Sequence, residues 1–249
     1  MFIAVSTDCF PEIPMPDVVE VFIDLEFTTI EIALRENGTI LSPSRIDSDF
    51  DQAVRIVRDS HRLDLCSFDV HIDVVGPAYY EQFATVCALA KATKVVTLTI
   101  PSGELGTPFN EEVERLQELV RIAEGEGVRV AMKSQIGRLG EDPDTVKVLC
   151  DNVKGLGLTL DPSHYYCGNY RNKNLDKIMP YVFHVHLRDS KKDQLQVRVG
   201  QGEIEYGKLI ASLQRVRYDH ALSIQIAPMP DIDQRQELRK LRLLLDSSL

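Results

Sequence analysis

Short apolar runs recur along this chain, and segments of helical period separate most of them. The clearest unit begins at Asp142-Pro143, an N-cap residue followed by one suited to the first helical position. Val146, Leu149, Cys150 and Val153 then fall at i, i+3, i+4 and i+7, which is one helix face. Gly155 stops the helix, and 157–161 reads as a strand. In the preceding unit Asn110 is the expected cap, with Glu111 and Glu112 at the positive end of the helix dipole. Val113, Leu116, Val120 and Ala123 form its buried stripe, and Gly125 and Gly127 end it. The last helix starts near Asp233, with Gln236 in capping-box spacing. Strands are expected at about 2–6, 29–33, 67–73, 94–100, 128–133, 157–161, 182–187 and 221–226.

Within these strands one parity is apolar, as in Ile30 and Ile32, Leu158 and Leu160, and Val185 and Leu187. The other parity is small or polar: Thr29 and Glu31; Asp69, His71 and Asp73; Ala131 and Lys133; Thr159 and Asp161; His184 and His186; Ser223 and Gln225. Side chains on a strand alternate faces. One face therefore packs on helices while the other converges on something polar. Eight such units predict an α/β fold, a single (β/α)8 barrel with residues 1–249 as one domain. The competitor is a doubly wound open sheet, which usually carries a Gly-rich loop after its first strand. Here that place holds Ser6-Thr7-Asp8-Cys9-Phe10-Pro11, with no glycine.

The charge balance narrows the partners. With 38 acidic and 28 basic residues the net charge is -10, which argues against a dedicated nucleic-acid binder. No apolar run approaches the roughly 18 residues that span a bilayer, and the first residues lack a basic stretch, so neither membrane nor signal peptide is expected. The cysteines (9, 66, 87, 150, 167) are odd in number and form no Cys-x-x-Cys pair. Reduced thiols in a cytoplasmic protein are the expectation.

Functional groups of such barrels sit at the C-terminal ends of strands. His184 and His186 share a face about 7 Å apart along their strand. Asp161, His164 and His186 alone could supply three ligands to a divalent metal. The alternative is a buried cluster whose members satisfy one another by hydrogen bonds. Glu31 either hydrogen-bonds a substrate hydroxyl or pairs with Lys133, His71 lines the pocket, and Ser6 and Asp8 close it from the first strand. Tyr165, Tyr166 and Tyr170 either line a sugar-stacking loop or pack it over the mouth. His61 and His220 look peripheral.

Three runs carry a resemblance: Gly157 to His164 (GLTLDPSH), His184 to Ser190 (HVHLRDS) and Gly200 to Tyr206 (GQGEIEY). In order and spacing the chain resembles the xylose isomerase-like TIM barrels, which include sugar and sugar-phosphate isomerases and epimerases, dehydratases and an endonuclease branch. The resemblance implies one divalent metal held by Glu, Asp, His and Glu from strands five to eight, the two Glu also serving as the acid–base pair. It maps Asp161 and His186 onto the Asp and His ligands, His164 onto a neighbouring His, and Arg188 onto a basic residue near substrate. It also admits a homodimer.

The departures lie at the two Glu positions, which hold Lys133 and Gln225; Gln135 stands where a His often follows the first Glu. A divalent ion (Mn, Zn, Mg or Co) would rest on Asp161 and His186 with His164 or Gln225, and a cationic Lys133 beside it opposes that charge. The expected function is a sugar or sugar-phosphate isomerase or epimerase with a degenerate metal site at the C-terminal mouth of the barrel. Its substrate is a small polyhydroxy ketone or aldehyde. Lys133, Glu31 and His164 are the candidate catalytic residues; His71, Arg188, Asp189, Gln225 and Gln135 are the candidate substrate contacts. The alternative is a non-catalytic relative that binds a sugar or polyol. A third reading is Schiff-base chemistry on Lys133.

Overall fold

A computed structural model of the chain describes residues 1–60 and 63–249, so His61 lies outside the described residues. Eight parallel strands close into a barrel in sequence order. They are β1 (Phe2–Ser6), β2 (Thr29–Leu34), β3 (Asp64–Val70), β4 (Thr97–Pro101), β5 (Arg129–Lys133), β6 (Leu156–Leu160), β7 (Val182–Leu187) and β8 (Ala221–Ile224), and β8 pairs back onto β1. The connecting helices are α1 (Met15–Asp24), α2 (Pro43–Ser48), α3 (Phe50–Arg58), α4 (Pro77–Ala92), α5 (Phe109–Gly125), α6 (Pro143–Asn152), α7 (Pro162–Cys167), α8 (Tyr206–Arg215) and α9 (Gln234–Asp246).

The alternation along each strand explains the closure. Ile30, Ile32, Leu98, Leu158, Val185 and Leu222 join one apolar cluster with the inner helix stripes. On α6 that stripe is Val146, Leu149 and Cys150, followed by Val153 at the helix end, all buried. Asp142 caps this helix by accepting from the Asp144 amide, and Asp233 caps α9 through the Arg235 and Gln236 amides. The opposite parity fills the barrel: Glu31, Thr99, Thr159, His184, His186 and Ser223 are all buried.

Three boundaries differ from the sequence expectation. β3 spans 64–70 rather than 67–73, because its partner β2 ends at Leu34, opposite Val70. A parallel strand cannot extend where no neighbour offers hydrogen bonds, so 71–74 becomes a loop. β4 starts at Thr97 rather than near 94, since Lys94 takes a positive φ of 62° in the turn after α4. α5 begins at Phe109 with Pro108 at its cap, so Asn110 lies inside the first turn. Among the described residues no helix is long and apolar enough to cross a membrane.

Candidate functional site at the barrel mouth

The inward residues form two clusters at different depths. The deeper one centres on Glu31. Its Oε2 accepts from Ser67 at 2.7 Å and lies 2.6 Å from His184 Nε2 and 2.9 Å from His186 Nε2. Ser223 reaches its Oε1 at 3.4 Å. None of these groups is more than 2% exposed. Burial pushes the Glu31 carboxyl up, but His186 and His184 outweigh it and hold the group well below the usual carboxylate range. Burial also lowers the His186 pKa, assisted by Lys133 and opposed by Glu31. Glu31 therefore locks two imidazoles from β7 and does not reach Lys133.

The upper cluster is a net of alternating charges at the strand ends. Gln225 is its hub. Its Oε1 accepts from Lys133 Nζ at 2.7 Å and Arg188 at 3.1 Å; its Nε2 donates to Asp69 at 2.9 Å and Asp8 at 3.1 Å. An amide has two lone pairs and two N–H groups, so all four are used. Arg35 bridges Asp8 and Asp69, each at 2.7 Å. Lys133 lies 3.6 Å from Asp69, and Arg188 donates to Asp161 at 2.9 Å. Three cations (Arg35, Lys133, Arg188) thus face three carboxylates (Asp8, Asp69, Asp161). Burial raises the Asp161 pKa, but Arg188 and then His164 pull it down to about 2.

His164 stands on the short α7, directly after β6, because Asp161 caps that helix by accepting from the Ser163 amide. The His164 Nδ1 accepts the Ile136 amide at 3.2 Å, so the ring proton sits on Nε2, 3.6 Å from Asp161. Burial, with Arg188 and Lys133, pushes its pKa down to about 4 against the pull of Asp161. At neutral pH His164 is therefore a neutral N–H donor.

Asp8, Lys133, Gln135, His164, Arg188 and Gln225 line one cavity of about 370 Å³. Lys133 and Gln135 also border a second, of about 200 Å³, with Arg35, Asp69 and His71. His71 sits in the loop beyond β3, its side chain 46% exposed. Asp189 lines neither of these cavities. Its carboxylate accepts from the Gly200 and Gly202 amides, both at 2.9 Å, and from Ser190 at 3.1 Å, tying down the β7–α8 connection. Gly202 is required there, since a Cβ would fall 1.9 Å from Asp189 Oδ1. Tyr165 is buried and donates to the Gly140 carbonyl, a packing role. Arg35 was not singled out from sequence, although it continues the inward parity of Glu31 and Ala33. Ser67 belongs to the deeper cluster in the same way.

The four positions where the resembled family holds a metal are Lys133, Asp161, His186 and Gln225. Among the described residues, His186 keeps a buried Nδ1 without a hydrogen-bond partner. Both Asp161 oxygens are committed, one to the Ser163 amide and one to Arg188. The Gln225 oxygen already accepts from two cations. Such a donor set does not fit a divalent ion, because two fixed positive groups hold the oxygens the ion would need.

A closed eight-stranded barrel with its charged side chains gathered at the C-terminal strand ends defines a (β/α)8 protein with a polar mouth. Residues 19–244 match the family described as xylose isomerase-like TIM barrel, and the chain belongs to that family. Among curated proteins it is 24% identical over 247 residues to Uncharacterized protein MJ1188 of Methanocaldococcus jannaschii, covering 91% of this chain and 88% of that one. A second protein of that organism, MJ1311, is 25% identical over 134 residues, only 46% of its length. Among solved structures, a probable 3-DHS dehydratase, AsbF, from Bacillus anthracis superposes with a TM-score of 0.78 at 15% identity, covering 99% of both chains. A D-tagatose 3-epimerase-like protein gives 0.74 at 20% identity and 99% of both chains, and an L-ribulose 3-epimerase 0.76 at 14%, covering 99% of this chain and 95% of that one. At these identities the likeness shows the fold.

Proposed function

We propose that the chain is a metal-independent sugar isomerase or epimerase, acting on a small polyhydroxy ketone or aldehyde held in the 370 Å³ cavity. One observation carries this reading: three fixed donors and a half-free carboxylate line that single cavity. Lys133, Arg188 and the His164 Nε2–H are the donors. Asp8 is the carboxylate; its Oδ2 accepts from Arg35 and Gln225, while among the described residues none donates to Oδ1. Asp8 Oδ1 takes the proton from the carbon beside the carbonyl. Negative charge then grows on the carbonyl oxygen, where preoriented donors stabilise it. For epimerisation the Lys133 ammonium gives a proton to the opposite face and is reprotonated from solvent, while Asp8 releases its proton to solvent; for isomerisation Asp8 returns its proton to the neighbouring carbon as that carbon's hydroxyl proton passes to the former carbonyl oxygen. The donors do for the oxygen what a metal does in relatives that bind one. That a probable 3-DHS dehydratase and an L-ribulose 3-epimerase share this fold is in keeping with the reading. All five cysteines are unpaired, which suits a reducing compartment, and we place the protein in the cytoplasm.

The test is proton exchange in deuterated water with EDTA-treated protein and a panel of ketoses, keto-inositols and their phosphates. Deuterium should enter beside the carbonyl at a rate that EDTA leaves unchanged. Lys133→Met should lower that rate about 100-fold, the usual effect of losing one oxyanion donor. Exchange that appears only with added Mn²⁺ overturns the metal-independent mechanism. No exchange with any sugar, while one of them raises the melting temperature, makes the chain a sugar-binding relative without catalysis. A borohydride-trapped adduct on Lys133 replaces proton transfer with Schiff-base chemistry.

A further inference from the structure

Ten described residues line the mouth cavity of about 370 Å³, and six of them are the polar groups already placed. The other four, Pro11, Leu195, Ala227 and Pro228, belong to the connections that follow β1, β7 and β8. Hydrogen bonds tie these connections into one wall. The Gln196 side chain pairs with both backbone groups of Ala227, accepting from its N–H at 2.8 Å and donating to its carbonyl at 2.7 Å, which joins the β7 and β8 connections. The Gln234 side chain donates to the Cys9 carbonyl at 3.1 Å and to the Ile226 carbonyl at 2.6 Å, which joins the β1 and β8 connections. Pro11, Ala227 and Pro228 are exposed and Leu195 is half-buried, so this wall presents apolar surface to water.

Such a wall has little to offer a hydroxyl. Its four side chains carry no polar atom, and its two prolines have no N–H. The Ala227 N–H is already given to Gln196. The carbonyls of Pro11, Leu195 and Ala227 accept from Thr39 at 2.8 Å, Ser190 at 2.6 Å and Gln196 at 2.7 Å. A hydroxyl set against the wall gives up water without gaining a donor, and a phosphate meets no positive group in it. A methyl group instead removes apolar surface from water on both sides of the contact. Resting on the reading of the mouth above, we infer that the substrate is a deoxy sugar: its carbonyl end lies at Asp8, Lys133, His164 and Arg188, and its remote end is a methyl group against Pro11, Leu195, Ala227 and Pro228. A 6-deoxyketohexose is that chemical class. It keeps the carbonyl and the proton beside it, so the step at the mouth is unchanged.

The test compares ketohexoses of the D and L series with their 6-deoxy and 6-phosphate counterparts, titrated against the full chain by calorimetry. In the best-binding set the 6-deoxy sugar should bind about tenfold more tightly than its parent, which corresponds to about 1.4 kcal/mol. The 6-phosphate should bind more weakly than the parent. Ala227→Ser and Leu195→Asn each give the wall a partner for a hydroxyl and should erase most of the deoxy margin. Ala227 is exposed and pairs with Gln196 through its backbone alone, so the first variant tests the wall without disturbing the fold. A 6-deoxyketohexose cannot close a pyranose ring through O6, and a margin due only to its larger open-chain fraction survives both variants; that result overturns the inference. Equal affinity of parent and 6-deoxy sugar, or tightest binding by the 6-phosphate, also overturns it while leaving the reading of the mouth intact. If no ketose of any kind binds, the reading of the mouth falls, and this inference with it.

Discussion

The heart of the barrel and its mouth lie one layer apart on the same strands, yet they use charge in opposite ways. In the heart, one carboxylate serves two imidazoles and two hydroxyls, and the whole group is sealed. Around the mouth, three carboxylates meet three cations across one amide, beside cavities open to solvent. His186 joins the layers, with Nε2 on Glu31 and a ring influenced by Lys133. The difference separates structural from functional polarity. A sealed cluster must satisfy its own charges, whereas the mouth is balanced by fixed side chains and keeps donors turned toward a cavity.

Cutting the heart should have the largest effect. Glu31→Ala leaves His184, His186 and Ser67 without their common acceptor in a site that water does not enter. Breaking a buried ionic network by removing one partner costs about 3–5 kcal/mol. Urea denaturation should show this loss. A loss below about 1 kcal/mol would mean that Glu31 is not the keystone of the heart.

The pH response of the mouth comes next. His164 has a folded pKa of about 4 against an ordinary value of 6.5. Between those values the unfolded chain binds the proton more readily, so stability falls as pH drops from about 6.5 to about 4 and then levels for this group. The charges facing the ring are Asp161, Arg188, Lys133 and His186. The integrated loss is on the order of 3 kcal/mol. Asp161, lowered to about 2, loses its contribution only from about pH 3.8 downward, which keeps the two windows apart. Stability measured from pH 7 to pH 4 should slope in the wild type and slope less steeply in His164→Gln, the remainder coming from His186, whose pKa burial lowers in the same direction. The same slope in both would remove His164 as its source.

How much of this was legible in the sequence depended on range. Strand alternation is local, so the inward set from Glu31 to Gln225 could be read from parity. Arg35 was passed over because it lies one residue beyond the β2 strand, although the same parity reaches it. The position of His71 could not be read locally, because β3 ends at Val70, where β2 stops offering hydrogen bonds at Leu34, far earlier along the chain. The partners of Lys133 were least accessible. Its acceptor, Gln225, is 92 residues away, and the Asp8 that shares that amide is 217 residues from it. Which ions meet across a closed barrel follows from its circumference and not from any local motif. Asp189 has a similar explanation: its task is to hold Gly200 and Gly202, so a charged residue in a family-like run is spent on the backbone.

Gln225 gives the smallest but most discriminating test, because it asks why this mouth has an amide where the resembled family has a carboxylate. Its Nε2 points at Asp69 and Asp8 from about 3 Å, while its oxygen accepts from Lys133 and Arg188. Gln225→Glu keeps the two good contacts and turns the other two from donation into carboxylate against carboxylate. The gain from Lys133 and Arg188 nearly offsets the repulsion, so the net loss at neutral pH should be about 1–2 kcal/mol. That loss should shrink as pH falls, because crowding raises the carboxyl pKa values and a proton then relieves the contact. Mn²⁺ should leave the melting temperature of this variant unchanged, since the Lys133 ammonium still stands in the ion's place. Combining Lys133→Glu with Gln225→Glu removes that ammonium and sets two new carboxylates at the mouth, and this double variant should melt higher with Mn²⁺ than without. If Gln225→Glu alone gains stability from Mn²⁺, then the missing carboxylate, not the lysine, keeps metal out of the mouth.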